Sequence, residues 1–102
     1  MISLQDDQIR VEGDFNQQTI PALIAQGEDM VRAGAGVINL AAVDAVDSSA
    51  VAAVLGWMRL ARASGRELRV TAAPAAFRSL SDLYGVSGFI FQESDDSNRA
   101  GV

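Results

Sequence analysis

The chain has 102 residues, of which 49% are hydrophobic, so it has the length and apolar content of one globular domain. Its net charge of -5, with eight basic residues that form no dense block, argues against a nucleic-acid partner. The absence of cysteine and histidine excludes a disulfide framework, a thiolate site and the most common general base. We therefore expect no metal and no cofactor.

The N-terminus lacks the positively charged start and apolar core of a secretory signal. No apolar run reaches the roughly 20 residues of a membrane-spanning helix. These patterns predict a soluble, cytoplasmic protein.

Alternating polar and apolar residues predict two short strands at the N-terminus. The first lies at residues 2–4 and the second, QIRVEG, at residues 8–13, with Asp6 and Asp7 turning one into the other as an antiparallel hairpin. A helix follows, capped by Thr19 or Asn16. It has Pro21 in its first turn and Gly34 at its end, and its inward stripe consists of Ile20, Leu23, Ile24 and Val31.

The second half of the chain continues the alternation of strands and helices. GVINL, residues 36–40, is typical of a strand buried on both faces of a parallel sheet, and a helix runs from near Ser48 to Ser64 or Gly65. Residues 67–73 predict the next strand. Pro74 opens a third helix that Gly85 closes, and one face of this helix consists of Phe77, Leu80, Leu83 and Tyr84.

The last apolar run, residues 88–91, fits either a short strand or the start of a terminal helix, and residues 92–102 predict a flexible acidic tail. The alternating order predicts an α/β fold for residues 1–91. We expect a mixed sheet of four to five strands, with an N-terminal antiparallel hairpin and right-handed βα crossover helices.

The helix after Ser48 has two apolar faces. One face docks on the sheet and consists of Val51, Val54, Leu55 and Met58. The opposite face consists of Ser49, Ala53, Trp57, Leu60 and Ser64, with Gly56 at its margin. Either other elements of the fold cover this second face, or it is a docking surface for a partner. If it is exposed, Trp57→Ala and Leu60→Asp should weaken partner binding with little effect on folding.

The step Asp47-Ser48-Ser49 lies at the start of this helix. Asp47 or Ser48 serves as the N-cap, which leaves Ser49 free to face outward. A nucleophilic serine is excluded because the chain offers no histidine or lysine as a base. Asp44 and Asp47 together are only a weak signal for a hard cation. A phosphate on a serine here would add negative charge at the rim of the second face and switch off docking.

The run VDAVDSSAVAAVLGWMRLARASGRELRV, followed by FRSLSDLYGV, resembles the STAS domain (sulfate transporter and anti-sigma factor antagonist) over nearly the whole chain. The resemblance implies a protein without catalytic activity of its own. In the anti-sigma factor antagonist branch, Ser49 aligns with the phosphoacceptor, although Ala50 replaces that branch's glycine. In the MlaB-like branch, which the C-terminal half resembles more, Ser48 aligns with a hydroxyl residue that supports contact with an ATPase subunit.

The resemblance therefore implies an accessory subunit bound to the ATP-binding subunit of a phospholipid ABC transporter, reaching the inner membrane only through that complex. The expected partner-binding residues are Asp47, Ser48, Ser49, Ala53, Gly56, Trp57 and Leu60. The alternative is an anti-sigma factor antagonist whose partner is an anti-sigma factor kinase, with Ser49 or Ser48 as the phosphoacceptor.

Overall fold

Two antiparallel strands open the chain in the computed structural model, which describes residues 1–91. Strand β1 covers Ile2–Gln5 and strand β2 covers Gln8–Phe15. Asp6 lies in the turn with φ 59°, a left-handed conformation that a short polar side chain tolerates. The predicted hairpin is confirmed, and β2 runs two residues further than the sequence pattern indicated.

Helices and parallel strands alternate after the hairpin. Helix α1 covers Ile20–Arg32, strand β3 covers Val37–Val46, helix α2 covers Ser48–Ala63 and strand β4 covers Arg69–Thr71. The sheet order is β1-β2-β3-β4, with β3 parallel to both β2 and β4. This is the predicted mixed four-stranded sheet with an N-terminal hairpin and crossover helices.

The helices cover one face of the sheet. Ile9, Val11, Ile38 and Leu40 are fully buried on that face, whereas the intervening Asn39 is only half-buried. The expectation that GVINL is buried on both faces is therefore wrong, because no helix covers the second face among residues 1–91. Its strand also extends to Val46, which carries the chain directly to the start of α2.

Two further helices complete the described part of the chain: α3 covers Ala75–Leu83 and α4 covers Ser87–Ile90. The last apolar run is thus helical rather than a strand. Phe91 follows it, is buried, and packs edge-on against Phe77 with ring centroids 6.2 Å apart. Residues 92–102, for which the sequence predicts a flexible tail, lie outside the described residues.

The four residues predicted to share one face of α3 differ in burial. Phe77 is buried and Leu80 half-buried, but Leu83 is 74% exposed and Tyr84 is 54% exposed. The inward direction instead follows Phe77 and Ser81, whose hydroxyl donates to the Phe77 carbonyl one turn earlier. Leu83 projects from the other side of α3, and Tyr84 caps its end. Two large apolar side chains are therefore left at the surface.

Over residues 1–91, the structure contains no helix with both the length and the hydrophobicity that crossing a bilayer requires.

Candidate interaction site

Asp47 fixes the start of α2. Its backbone is extended, with φ -141° and ψ -170°, and its carboxylate accepts a hydrogen bond from the Ser49 N–H at 2.9 Å. The second carboxylate oxygen accepts from the Gln17 N–H at 3.1 Å, just before α1. Of the two residues proposed as the cap, Asp47 is therefore the one used, and it also ties together the starts of both helices.

The two serines occupy the first turn of α2 and differ in exposure. Ser48 is exposed, whereas Ser49 is half-buried and its backbone N–H is occupied by Asp47. Asp47 therefore caps the helix, and neither serine side chain is needed for that role. Of the two serine hydroxyl groups, that of Ser48 is the more accessible.

An open apolar groove of 310 Å³ begins at Ser48. Its lining is Ser48, Val51, Ala52, Leu55, Tyr84 and Val86. The first half of α2 forms one wall, and the turn between α3 and α4 forms the other. Gly85 makes this turn possible because its φ of 71° is strained for any residue with a side chain. The exposed Tyr84 is thereby placed beside the serine step.

Most residues of this groove are not among those expected from the sequence. Leu55 was assigned to the sheet-docking face, yet it is half-buried and lines the groove. The sequence groups Tyr84 with Phe77 and Leu80 on one face of α3, yet Tyr84 also lines the groove. The available signal was the four- and three-residue spacing of Ser48, Ala52 and Leu55, which places them in one line along α2. The α3–α4 turn lies beside this line because of tertiary packing. The spacing of residues along α2 does not predict that packing.

The predicted second face of α2 is not an exposed surface. Trp57 is 1% exposed and Ala53 is 5% exposed, because α1 covers them. The Trp57 ring stacks on Phe15 with centroids 6.1 Å apart, and its Nε1–H donates to the Ile24 carbonyl at 3.3 Å. A docking role for Ala53 and Trp57 is therefore corrected: both are core residues.

The other residues predicted on that face lie at its margins. Gly56 is exposed and Leu60 is half-buried against the core, so neither lines the groove. The structure thus brings together Asp47, Ser48 and Ser49 at the start of α2, and places Gly56 and Leu60 apart from them.

Removing the Asp47 carboxylate should measurably destabilise the fold. Asp47→Ala loses the cap of α2 and the link to Gln17, which together are worth about 1–2 kcal/mol of unfolding free energy. Urea denaturation followed by circular dichroism measures this loss. Asp44→Ala removes an exposed carboxylate three residues earlier and should change stability by less than about 0.5 kcal/mol. Equal effects of both substitutions would contradict the capping role.

Two solved structures share this architecture. The anti-sigma factor antagonist SpoIIAA in its unphosphorylated form matches with a TM-score of 0.69 and 20% identity, over 98% of this chain and 96% of that chain. The phosphorylated form of SpoIIAA, a Bacillus cell fate determinant, matches with a TM-score of 0.64 and 20% identity, over 95% and 96% of the two chains. No curated protein matches the sequence significantly.

The four-stranded mixed sheet with its hairpin and crossover helices is thus the STAS fold. The family model described as "Mlab, STAS domain" matches residues 2–92. The chain belongs to this MlaB-like STAS family, which confirms the resemblance drawn from its sequence.

Proposed function

We propose that this protein is a non-catalytic accessory subunit that binds the ATP-binding subunit of a phospholipid ABC transporter of the Mla type. Such a subunit works in the cytoplasm and reaches the membrane only through the complex. The groove beside Ser48, in a chain of the MlaB-like family, carries the proposal.

The groove has the properties of a protein-binding surface. Its lining is apolar apart from the hydroxyl groups of Ser48 and Tyr84, and Tyr84 is 54% exposed. Tyrosine is enriched among residues that dominate binding energy, because it combines a large apolar ring with a hydrogen-bonding group. The two hydrogen bonds that Asp47 accepts, from the Gln17 and Ser49 N–H groups, fix the start of α2, where Ser48 lies beside the groove. A partner therefore meets a preformed surface rather than one that must be ordered on binding.

A charge placed in the groove should abolish binding without unfolding the chain. Ala52 is exposed and lines the groove, so Ala52→Asp introduces a desolvated carboxylate into the interface. We expect co-purification with an Mla-type ATP-binding subunit of the same organism to be lost, and affinity in titration calorimetry to fall by at least about 100-fold.

Ala25→Asp provides a matched control. Ala25 is an exposed alanine in the interior of α1 and is not part of the groove, so the same substitution there should leave binding unchanged. A wild-type protein that neither co-purifies with the ATPase subunit nor alters its ATP hydrolysis would overturn the proposed function. Equal loss of binding in both variants would place the interface elsewhere.

The exposed Ser48 favours a second candidate function, an anti-sigma factor antagonist switched by serine phosphorylation. A phosphate on Ser48 would lie at the first turn of α2, where the helix dipole favours negative charge. It would also place about two negative charges at the end of an apolar groove, which opposes partner binding. Phosphorylation of Ser48 would thus release a partner from the same groove. Ser49 is the phosphoacceptor that the family resemblance implied, but it is half-buried.

Incubation with an anti-sigma factor kinase and ATP tests this candidate. Mass spectrometry of the wild type, Ser48→Ala and Ser49→Ala assigns any phosphate to one serine. Phosphate that disappears in only one variant supports the switch, whereas no phosphate on either serine excludes it.

A further inference from the structure

The groove continues into a basic end along α2. Ser48, Ala52, Leu55, Arg59 and Arg62 follow each other at spacings of four and three residues, so they form one stripe along the helix. We call this line the α2 stripe. From Ser48 to Arg62 the stripe rises by about 21 Å along the helix axis. The stripe begins at a hydroxyl, crosses the apolar groove and ends in two exposed guanidinium groups.

The charge of the chain is strongly divided along its length. Residues 1–58 contain eight carboxylates and two arginines, whereas residues 59–78 contain five arginines and one carboxylate. The salt bridges formed within residues 1–91 use only Arg10 and Arg32, both from the acidic part. A protein of net charge -5 therefore presents positive charge at one end of its candidate interface.

The basic residues of this part have different roles. Arg66 donates to the Val31 carbonyl at 2.5 Å and so joins the end of α2 to α1. Arg69 alternates with the buried Leu68 and Val70 and therefore lies on the uncovered face of the sheet. Arg62 stacks over the Phe89 ring, with its guanidinium carbon 4.4 Å from the centroid. Stacking orients this guanidinium while leaving its N–H edge available to an acceptor.

We propose that the α2 stripe binds an amphipathic helix of the partner subunit, oriented so that its acidic residues meet Arg59 and Arg62. This inference rests on the proposed function and specifies the chemistry of the partner. Apolar side chains of that helix would fill the groove, and its carboxylates would pair with the two guanidinium groups. Helix-in-groove binding uses apolar anchors three and four residues apart, which matches the spacing of the stripe.

An anionic membrane surface fits these observations less well. The apolar part of the α2 stripe lines an open groove between α2 and the α3–α4 turn, whereas insertion into a bilayer requires a protruding apolar surface. Asp47 lies at the other end of the stripe, and the exposed Asp82 lies on α3 near the far wall. These carboxylates would be repelled by anionic headgroups. A partner helix with basic residues at one end and acidic residues at the other is complementary to both ends of the stripe. This complementarity fixes the direction of the helix along the groove.

Charge reversal at Arg59 tests the orientation. Arg59 is exposed, so Arg59→Glu should fold normally, and Arg59→Ala provides a milder second variant. With the same Mla-type ATP-binding subunit, we expect Arg59→Glu to raise the Kd about tenfold at low salt. The difference should shrink as salt rises from about 50 to 500 mM. Arg69→Glu makes the same change on the uncovered sheet face and should leave the Kd within about twofold.

The outcomes separate the two proposals. A weaker, less salt-dependent complex for Arg59→Glu but not for Arg69→Glu supports the acidic helix. An unchanged Kd for Arg59→Glu, while Ala52→Asp abolishes binding, overturns the acidic partner and leaves the proposed function intact. A wild type that does not bind the ATPase subunit overturns both. Binding to phosphatidylglycerol vesicles that Arg59→Glu abolishes would assign the basic end to a membrane and overturn the inference.

Discussion

Trp57→Ala is expected to lower the free energy of unfolding by about 3–5 kcal/mol. The indole is 1% exposed, stacks on Phe15 and donates a hydrogen bond to the Ile24 carbonyl, so its removal leaves a cavity between α1, α2 and the sheet. For a domain of this size, such a loss is a large part of the total stability.

Far-UV circular dichroism during urea denaturation measures this effect. Fluorescence is not suitable, because Trp57 is the only tryptophan of the chain. Leu83→Ala is the control, since Leu83 is 74% exposed and its removal should cost less than about 0.5 kcal/mol. If the Trp57→Ala variant is as stable as the wild type, Trp57 lies on an exposed face and is not packed between α1 and α2.

The elements of the fold could be predicted from the sequence because local signals agree with the tertiary structure. Turn residues mark the hairpin at Asp6, Pro21 marks the start of α1, and Asp47 marks the start of α2. Each signal acts within a few residues of its own position. The mixed sheet follows from the order of the elements, because parallel neighbours require crossover helices.

The orientation of α2 could not be predicted in the same way. Periodicity divides a helix into faces, but it does not say which element covers each face. Ala53 and Trp57 lie opposite the face that docks on the sheet, and the sequence leaves open whether another element of the fold or a partner covers them. In the structure α1 covers them, and it can do so because Gly27 offers no side chain at the point of contact. The burial of this face therefore depends on the pair Gly27 and Trp57, which are 30 positions apart in the sequence.

The groove could also be predicted only in part from helical periodicity. The exposed stripe of α2 is visible in the spacing of Ser48, Ala52 and Leu55, yet its partner wall comes from Tyr84 and Val86. The sequence places Tyr84 on one face with Phe77 and Leu80 because its spacing continues a helical pattern. The helix ends one residue before Tyr84, so the pattern no longer sets the direction of its side chain. Local periodicity fails where an element ends.

Gly27→Ala is expected to destabilise the fold, although alanine is the better helix former. In an exposed helix interior this substitution stabilises by about 1 kcal/mol. At Gly27, however, a Cβ would lie closer to the Trp57 ring atoms than Cβ atoms lie to their neighbours in real proteins. The ring cannot retreat freely, because Phe15 stacks on it and the Ile24 carbonyl holds its Nε1–H. Overpacking of this kind costs about 1–3 kcal/mol, so the net effect is a loss.

Two comparisons make this prediction decisive. Gly56 lies in the interior of α2 with open space where a Cβ would project, so Gly56→Ala should stabilise by about 1 kcal/mol. In a Trp57→Leu background, which removes the ring, Gly27→Ala should likewise become neutral or stabilising. The change of sign in this double-mutant cycle isolates the contact between the two residues. If Gly27→Ala stabilises the wild type as much as Gly56→Ala does, the indole does not lie on Gly27, and its place in the core must be reassigned.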